Sequence, residues 1–427
     1  MMSLGGLTNS YTHIKFLMKK YNFDFNYLAK RFDELIVVKD EKSISYSEIF
    51  LMRELESVLE TAFDFNHQTP SSAFSWIISD AIQNFVRKKT KDGRALKASL
   101  QQSETKYLTK NNKKYHILTS LSFRHFNELP KLNLNGVVIS FIDHLPKKYN
   151  IFSNISIKYN FPEYPLKNYT IVKIELEART STEAIDLGLG KLNLIRGFWN
   201  YSVNRRLGSR IQSGKRDSIN TIRLGPLHTL HNEDGSLVDN HYWFEDNYKA
   251  ESANNSIRDK WEYISNEFSH FQKCFKNSIA DIDLDSFVIF YSNALDTNDY
   301  NSAYLKLWTM LEQLTATGNT SYDKTISRTL FFYKDDKFNK EVLEHLRIVR
   351  NKMIHFGEIR DDIEPQLFQL KRIVERVFLF HINNLNYFKN IQEIGQYLDI
   401  NWKEDSLKRE IQFRNRLLKE LYRKKRV

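Results

Sequence analysis

Ile348-Val349-Arg350-Asn351-Lys352-Met353-Ile354-His355-Phe356-Gly357 is the stretch on which the fold turns. It closes a longer amphipathic run, Asn339 to Phe356, in which Val342, Leu346, Val349, Met353 and Phe356 recur at helical spacing and form one apolar stripe facing a core. Gly357 follows at once, a residue that tolerates the left-handed turn with which helices stop. The polar residues project elsewhere. At about 100° per residue, Asn351 and His355 share a face with Arg347, whereas Arg350 and His355, five apart, are separated by about 140°. One straight helix does not bring Arg350 and His355 together. A site using both needs the long reach of arginine, a loosened last turn before Gly357, or a second copy of the helix. Of these the second copy is favoured, because twofold self-complementary contacts are the commonest association of soluble chains.

Outward from this helix the pattern stays helical. Trp261, Ile264, Phe268, Phe271 and Phe275 make a clean stripe, and further helices are expected over Leu284 to Leu295, Ser302 to Ala316 before Gly318, and Asp362 to Phe388 with Pro365 in its first turn. Residues 256–395 therefore read as an all-α bundle, and 396–427 as a basic C-terminal helix ending Arg423-Lys424-Lys425-Arg426. That terminus is either a solvated, fraying end or a contact for an RNA backbone.

Before Asn255 the pattern is mixed. Ile174, Leu176 and Ala178 alternate with charged residues as on a half-buried strand. Thr180 and Glu183 make a capping box ahead of a helix carrying Ile185, Leu189, Leu192, Ile195 and Trp199. A hairpin follows, Leu224 to Leu230 and Leu237 to Phe244 around Asn232-Glu233-Asp234-Gly235. Residues 166–255 thus form a strand, helix and hairpin connector. In residues 1–165 helices are expected over Ser47 to Ala62 and Ser72 to Val86, an exposed basic loop over Arg87 to Lys97, and strands over Tyr115 to Leu121, Gly136 to Ile142 and Ile151 to Ile157. This part reads as an α+β regulatory or sensing domain. The expected fold class is α+β and multidomain, with mixed N-terminal and middle regions followed by the helical bundle.

With 427 residues the chain exceeds one ordinary core, and 41% hydrophobic residues suffice to fill several. A net charge of +11 favours polyanionic partners, nucleic acid first. Cys274 stands alone, which excludes an intrachain disulfide framework or a multi-cysteine zinc module and suits a reducing, cytoplasmic setting. No run approaches the roughly 18 apolar residues of a membrane span, and Met1 to Tyr11 lacks the charged-then-apolar pattern of a secretory leader, so no membrane partner is expected.

Histidine moves protons near neutrality, and arginine grips phosphate through parallel N–H bonds. Together they suit RNA cleavage without a metal or other cofactor: histidine takes the 2′-hydroxyl proton and arginine stabilises charge on the phosphorane. An Arg and His five residues apart is a common coincidence taken alone, so the context decides. Ile348 to Gly357, with Ala303-Tyr304-Leu305-Lys306-Leu307-Trp308-Thr309-Met310-Leu311-Glu312 one helix upstream, resembles the HEPN family, whose signature is Arg, a polar residue often Asn, and a His four to six residues after the Arg. The likeness is to the ApeA-like branch in particular. A weaker echo, Ala184 to Asn200, extends it to about Tyr169 to Phe388.

The resemblance implies a metal-independent endoribonuclease that works as a dimer through the HEPN domain and leaves a 2′,3′-cyclic phosphate. Such enzymes often serve as toxins or in abortive-infection defence against phage, released by a phage-derived or cellular trigger. It assigns catalysis to Arg350, Asn351 and His355. Arg347 and Lys352 on the same helix are candidate RNA contacts. Glu312 borders the core and either holds Arg350 or orients His355, or is an ordinary salt-bridged carboxylate. The alternative function is a non-catalytic RNA- or partner-binding protein, as in family members that have lost the Arg or the His.

Other constellations rank lower. His228 and His231, near Asp234 and His241, raise the question of a metal, but i and i+3 on a strand face opposite sides. His116, His125 and His144 are scattered singly. Gly188-Leu189-Gly190 opens like a phosphate loop, yet Asn193 stands where a third glycine is needed and the run lies in a helical pattern. No Gly-x-Ser-x-Gly nucleophile motif occurs.

Overall fold

The computed structural model describes residues 21–39, 44–158, 168–205, 207, 217–245, 253–254, 256–318, 322–400 and 404–424. Met1 to Tyr11, Asn255 and the terminal Lys425-Arg426 lie outside them. The chain is mixed α and β, and it divides into two compact units. One comprises residues up to Arg196 with Thr221–Glu262, and the other Gly197–Asn220 with residues from Tyr263 on.

In the first unit, in chain order, come α1 (Phe25–Leu35), the ribbon β1 (Ile36–Val38) and β2 (Ile44–Tyr46), α2 (Ile49–Ala62), α3 (Phe74–Phe85) and α4 (Gly93–Leu108). Phe32, Leu59, Ile78, Phe85 and Leu100 fill the core between these helices. The basic run expected as a loop to Lys97 stops at Asp92, whose carboxylate accepts from the Ala95 N–H at 2.7 Å and starts α4.

The rest of this unit is built around a six-stranded antiparallel sheet of β3 (Lys113–Leu121), β4 (Leu132–Leu134), β5 (Val137–Ile142), β6 (Thr170–Ala178), β7 (Leu227–His231) and β8 (Leu237–Phe244). Its order is β4-β5-β6-β3-β7-β8. β6 lies between β5 and β3, and β3 pairs with both β6 and β7. Residues from 1–165 and from 166–255 therefore alternate within one sheet. The expected boundary at 165 does not separate two domains, because strand pairing joins segments far apart in sequence.

Ile151 to Ile157, expected as a strand, is α5 (Asn150–Lys158). Tyr149, Phe152 and Ile155 recur every three residues and bury together against Leu118 and Leu227. On a strand Phe152 and Ile155 would face opposite sides, so burial on one side selects the helix. α6 (Ser181–Asn204) begins with the Glu183 N–H donating to the Thr180 hydroxyl at 3.2 Å, while the Glu183 carboxylate accepts from the Arg179 N–H at 2.6 Å. This is the expected capping box widened by one residue. The unit division falls inside α6, and α7 (Ser256–Asp259) closes the first unit's sequence.

The described secondary structure of the second unit is all helical. It comprises the end of α6, α8 (Trp261–Lys276) from Tyr263 on, α9 (Leu284–Asp296), α10 (Tyr300–Leu314), α11 (Tyr322–Leu330), α12 (Asp336–Phe356), α13 (Glu364–Asn383), α14 (Ile391–Leu398) and α15 (Glu404–Lys424). α10 stops at Leu314, with Ala316 rather than Gly318 in the left-handed conformation at φ 54°. α13 ends at Asn383, short of the expected Phe388. Gly197 on α6 sits where a Cβ would lie 2.9 Å from the Val288 carbonyl oxygen, so only glycine allows α6 and α9 to approach this closely.

The core here holds ions as well as apolar side chains. Fully buried Lys371 pairs with Glu375 at 2.9 Å and donates to the Asn204 carbonyl at 2.6 Å, while the Tyr291 hydroxyl donates to the same carboxylate. Burial pushes the Lys371 amine down and the Glu375 carboxyl up, each opposed by its partner.

Candidate active site

α12 carries Arg347, Arg350, Asn351, Lys352 and His355, and α10 carries Glu312. Asp335 caps the start of α12, its carboxylate accepting from the Phe338 N–H at 3.0 Å. Gly357 ends it with φ +63°, its N–H donating to the Lys352 carbonyl. The helix is regular through Phe356, so the last turn is not loosened and the separation of about 140° between Arg350 and His355 stands.

Leu343, Leu346, Val349 and Met353 bury one side of α12. Phe356, expected to end this stripe, is 82% exposed. It lies about 80° around from Leu346, off the arc that meets the neighbouring helices. Ile348, at 51%, and Ile354 are exposed as well.

Arg350 stands at the margin of the buried side. Its Nη2 is 3.9 Å from Glu312 Oε1, with the two side chains only 13% and 15% exposed. Its Nη1 donates to Asn351 Oδ1 at 3.2 Å. The same Glu312 oxygen accepts from the indole Nε1 of buried Trp308 at 2.7 Å. One turn earlier, the Tyr304 hydroxyl donates to the Leu346 carbonyl at 2.6 Å and ties α10 to α12 just before the motif. Burial raises the Tyr304 phenol, with the guanidinium groups of Arg360 and Arg350 opposing, so it stays a donor at neutral pH. Asn301 holds the segment after the helix, donating to the Arg360 carbonyl and accepting from the Arg360 N–H, both at 3.1 Å.

The fold therefore brings Arg350, Asn351 and Glu312 together, and leaves His355 exposed on the far side of α12, about 180° from Leu346. Lys352 is exposed too. Arg347 is committed within the unit, at 2.6 Å from Glu344 and 3.4 Å from Asp323. Trp308 and Tyr304 had no assigned role in the sequence; the i, i+4 spacing of Trp308 and Glu312 was the available signal.

His228 and His231 are both fully buried, with a bulge in β7 between Thr229 and His231. His231 Nδ1 hydrogen-bonds the Gly235 carbonyl at 2.9 Å and Nε2 the Thr229 hydroxyl at 2.7 Å, while His228 stacks on Trp243 and meets Glu245 at 3.1 Å. Among the described residues no group of three or more His, Cys, Asp or Glu is placed to hold a metal ion. Gly188 and Gly190 lie inside α6.

No family model, curated protein or solved structure matches the chain. The likeness to the HEPN family rests on the motif residues and their helical setting. No helix among the described residues is long and apolar enough to cross a membrane.

Proposed function

We propose that the chain is a metal-independent HEPN-type endoribonuclease whose site is completed by a second copy of α12. The observation that carries this reading is the division of labour on one helix. Arg350 is aimed and half-buried through Glu312, whereas His355 faces solvent beside exposed Ile348 and Phe356. An exposed apolar margin around a chemically useful group is what a covering partner would use. A twofold pair of α12 helices would place the arginine of one copy near the histidine of the other.

In that site the neutral imidazole of His355 takes the proton from a ribose 2′-hydroxyl. The 2′-oxygen attacks phosphorus, the bond to the 5′-oxygen breaks, and a 2′,3′-cyclic phosphate and a 5′-hydroxyl end form. Arg350 holds the phosphorane oxygens, Asn351 helps orient the guanidinium, and Glu312 keeps it aimed. The imidazolium so formed gives that proton to the leaving 5′-oxygen, so one histidine serves both transfers and the second copy supplies the arginine. Exposed Lys352 contacts the RNA backbone; Arg347 does so only by giving up its carboxylate partners. The biological role that goes with this chemistry is an abortive-infection or toxin nuclease in the cytoplasm.

The rival function, a non-catalytic RNA- or partner-binding protein, draws on the same Arg350–Glu312 pair, which also fastens α10 to α12. Cleavage of RNA in the presence of a chelator, compared between the wild type and His355→Ala, separates the two. Loss of cutting with RNA binding retained supports the nuclease; equal cutting by both proteins overturns it.

A further inference from the structure

α15 exposes large apolar side chains over residues 411–418. Ile411, Phe413, Leu417 and Leu418 are 57%, 61%, 48% and 49% exposed, and no described residue covers them. At about 100° per residue these four, with half-buried Leu407, fall in one arc of about 160°. Arg409, Arg416 and Lys419 occupy the opposite side and outnumber the exposed Asp405 that lies among them. Arg414 and Glu410 lie within the apolar arc and neutralise each other, with Arg414 Nη2 2.7 Å from Glu410 Oε1. The helix thus has an aliphatic and aromatic face, an internally balanced ion pair, and a cationic face.

We infer that α15 is a surface anchor that lies on an anionic lipid bilayer, its apolar arc in the headgroup boundary and its cations attracted by the lipid charge. Aliphatic side chains opposite a Lys- and Arg-rich face on a helix of low mean hydropathy are the features of an interfacial helix, as distinct from a spanning one. RNA would satisfy the cations but leaves four large apolar side chains in water. A second copy of the chain would bury the apolar arc but brings the same net charge of +11, so like charge opposes the pairing of two such helices. A bilayer rich in anionic lipid satisfies both faces. That no helix among the described residues is long and apolar enough to cross a membrane does not bear on this, since lying in the interface needs no continuous apolar run.

The test is vesicle co-sedimentation of the full chain, using phosphatidylglycerol mixed with phosphatidylcholine against phosphatidylcholine alone. The wild type is expected to sediment with the mixed vesicles and at least about tenfold less with the neutral ones. Ile411→Ser with Leu418→Ser loses at least about tenfold in affinity for the mixed vesicles. Arg409→Gln with Arg416→Gln loses the preference for anionic lipid. Because these side chains are exposed, both variants keep the wild-type melting temperature. Equal sedimentation with both vesicle types, no sedimentation, or wild-type binding by the serine variant overturns the anchor. So does a serine variant that loses RNA binding or self-association while vesicle binding stays intact. None of these readouts depends on RNA cleavage.

Discussion

Glu312 Oε1 faces two donors, the Trp308 indole at 2.7 Å and the Arg350 guanidinium at 3.9 Å. The indole bond is the shorter and better formed, so Trp308 fixes the carboxylate and the carboxylate aims the arginine. Trp308→Phe keeps a ring in the core but removes the donor. In this variant kcat for RNA cleavage is expected to fall about tenfold with KM little changed, the worth of one lost hydrogen bond next to a charge. A Trp308→Phe protein with wild-type kcat would show that Glu312 needs no such support. Much at this scale was legible. The spacing of Arg350 and His355 already forbade a self-contained pair, and Glu312 was placed at the core margin. Phe356 was not, because periodicity marks a face without saying where the facing helices end. The tether from Tyr304 to Leu346 was hidden for another reason: a side-chain bond to a distant carbonyl leaves no repeat in the sequence.

Among the elements, α13 shows a pH dependence built into packing. His381 is buried, its Nε2–H donating to the Leu314 carbonyl at 2.7 Å at the end of α10, and burial pushes the imidazole down to about 4. The unfolded chain holds it near 6.5, so below that value the unfolded state binds the extra proton and folding opposes it. Its contribution is fully present above about 6.5 and is lost as the pH falls toward 4. Urea unfolding should show roughly 2 kcal/mol lost between pH 7 and pH 5 through this group. His381→Gln, which retains a donor, should flatten that part of the profile; an unchanged slope would assign the acid sensitivity elsewhere. Most helices of the second unit could be read from their stripes, since amphipathic periodicity is a local property. α5 could not, because its short apolar run fits strand and helix alike until Tyr149, Phe152 and Ile155 bury together on the sheet.

At the scale of the molecule the sheet was the hidden part. Each of β3, β5, β6 and β7 has a local signature, but the order that sets β6 between β5 and β3 arises from pairing across many intervening residues. A linear cut at residue 165 could not anticipate it. Association belongs to this scale too. Ile348 lies about 20° and Phe356 about 100° around α12 from His355, both to the same side and both exposed, and the proposed pairing buries them. Sedimentation of the wild type at micromolar concentration should give a dimer. Ile348→Asp with Phe356→Asp should give a folded monomer that no longer cuts RNA, because a buried unpaired carboxylate opposes the contact. A wild-type monomer that cuts RNA would remove the need for a second copy.

One copy's Arg350 is proposed to work with the other copy's His355, and a mixing experiment decides whether it does. Arg350→Ala and His355→Ala proteins are assayed for RNA cleavage separately and after mixing under conditions that allow exchange. Each alone is expected to be inactive, and the mixture to regain cleavage, leaving 2′,3′-cyclic phosphate ends, through pairs in which an intact arginine meets an intact histidine. Cleavage by His355→Ala alone at the wild-type rate, or a mixture as inactive as its parts, would contradict it.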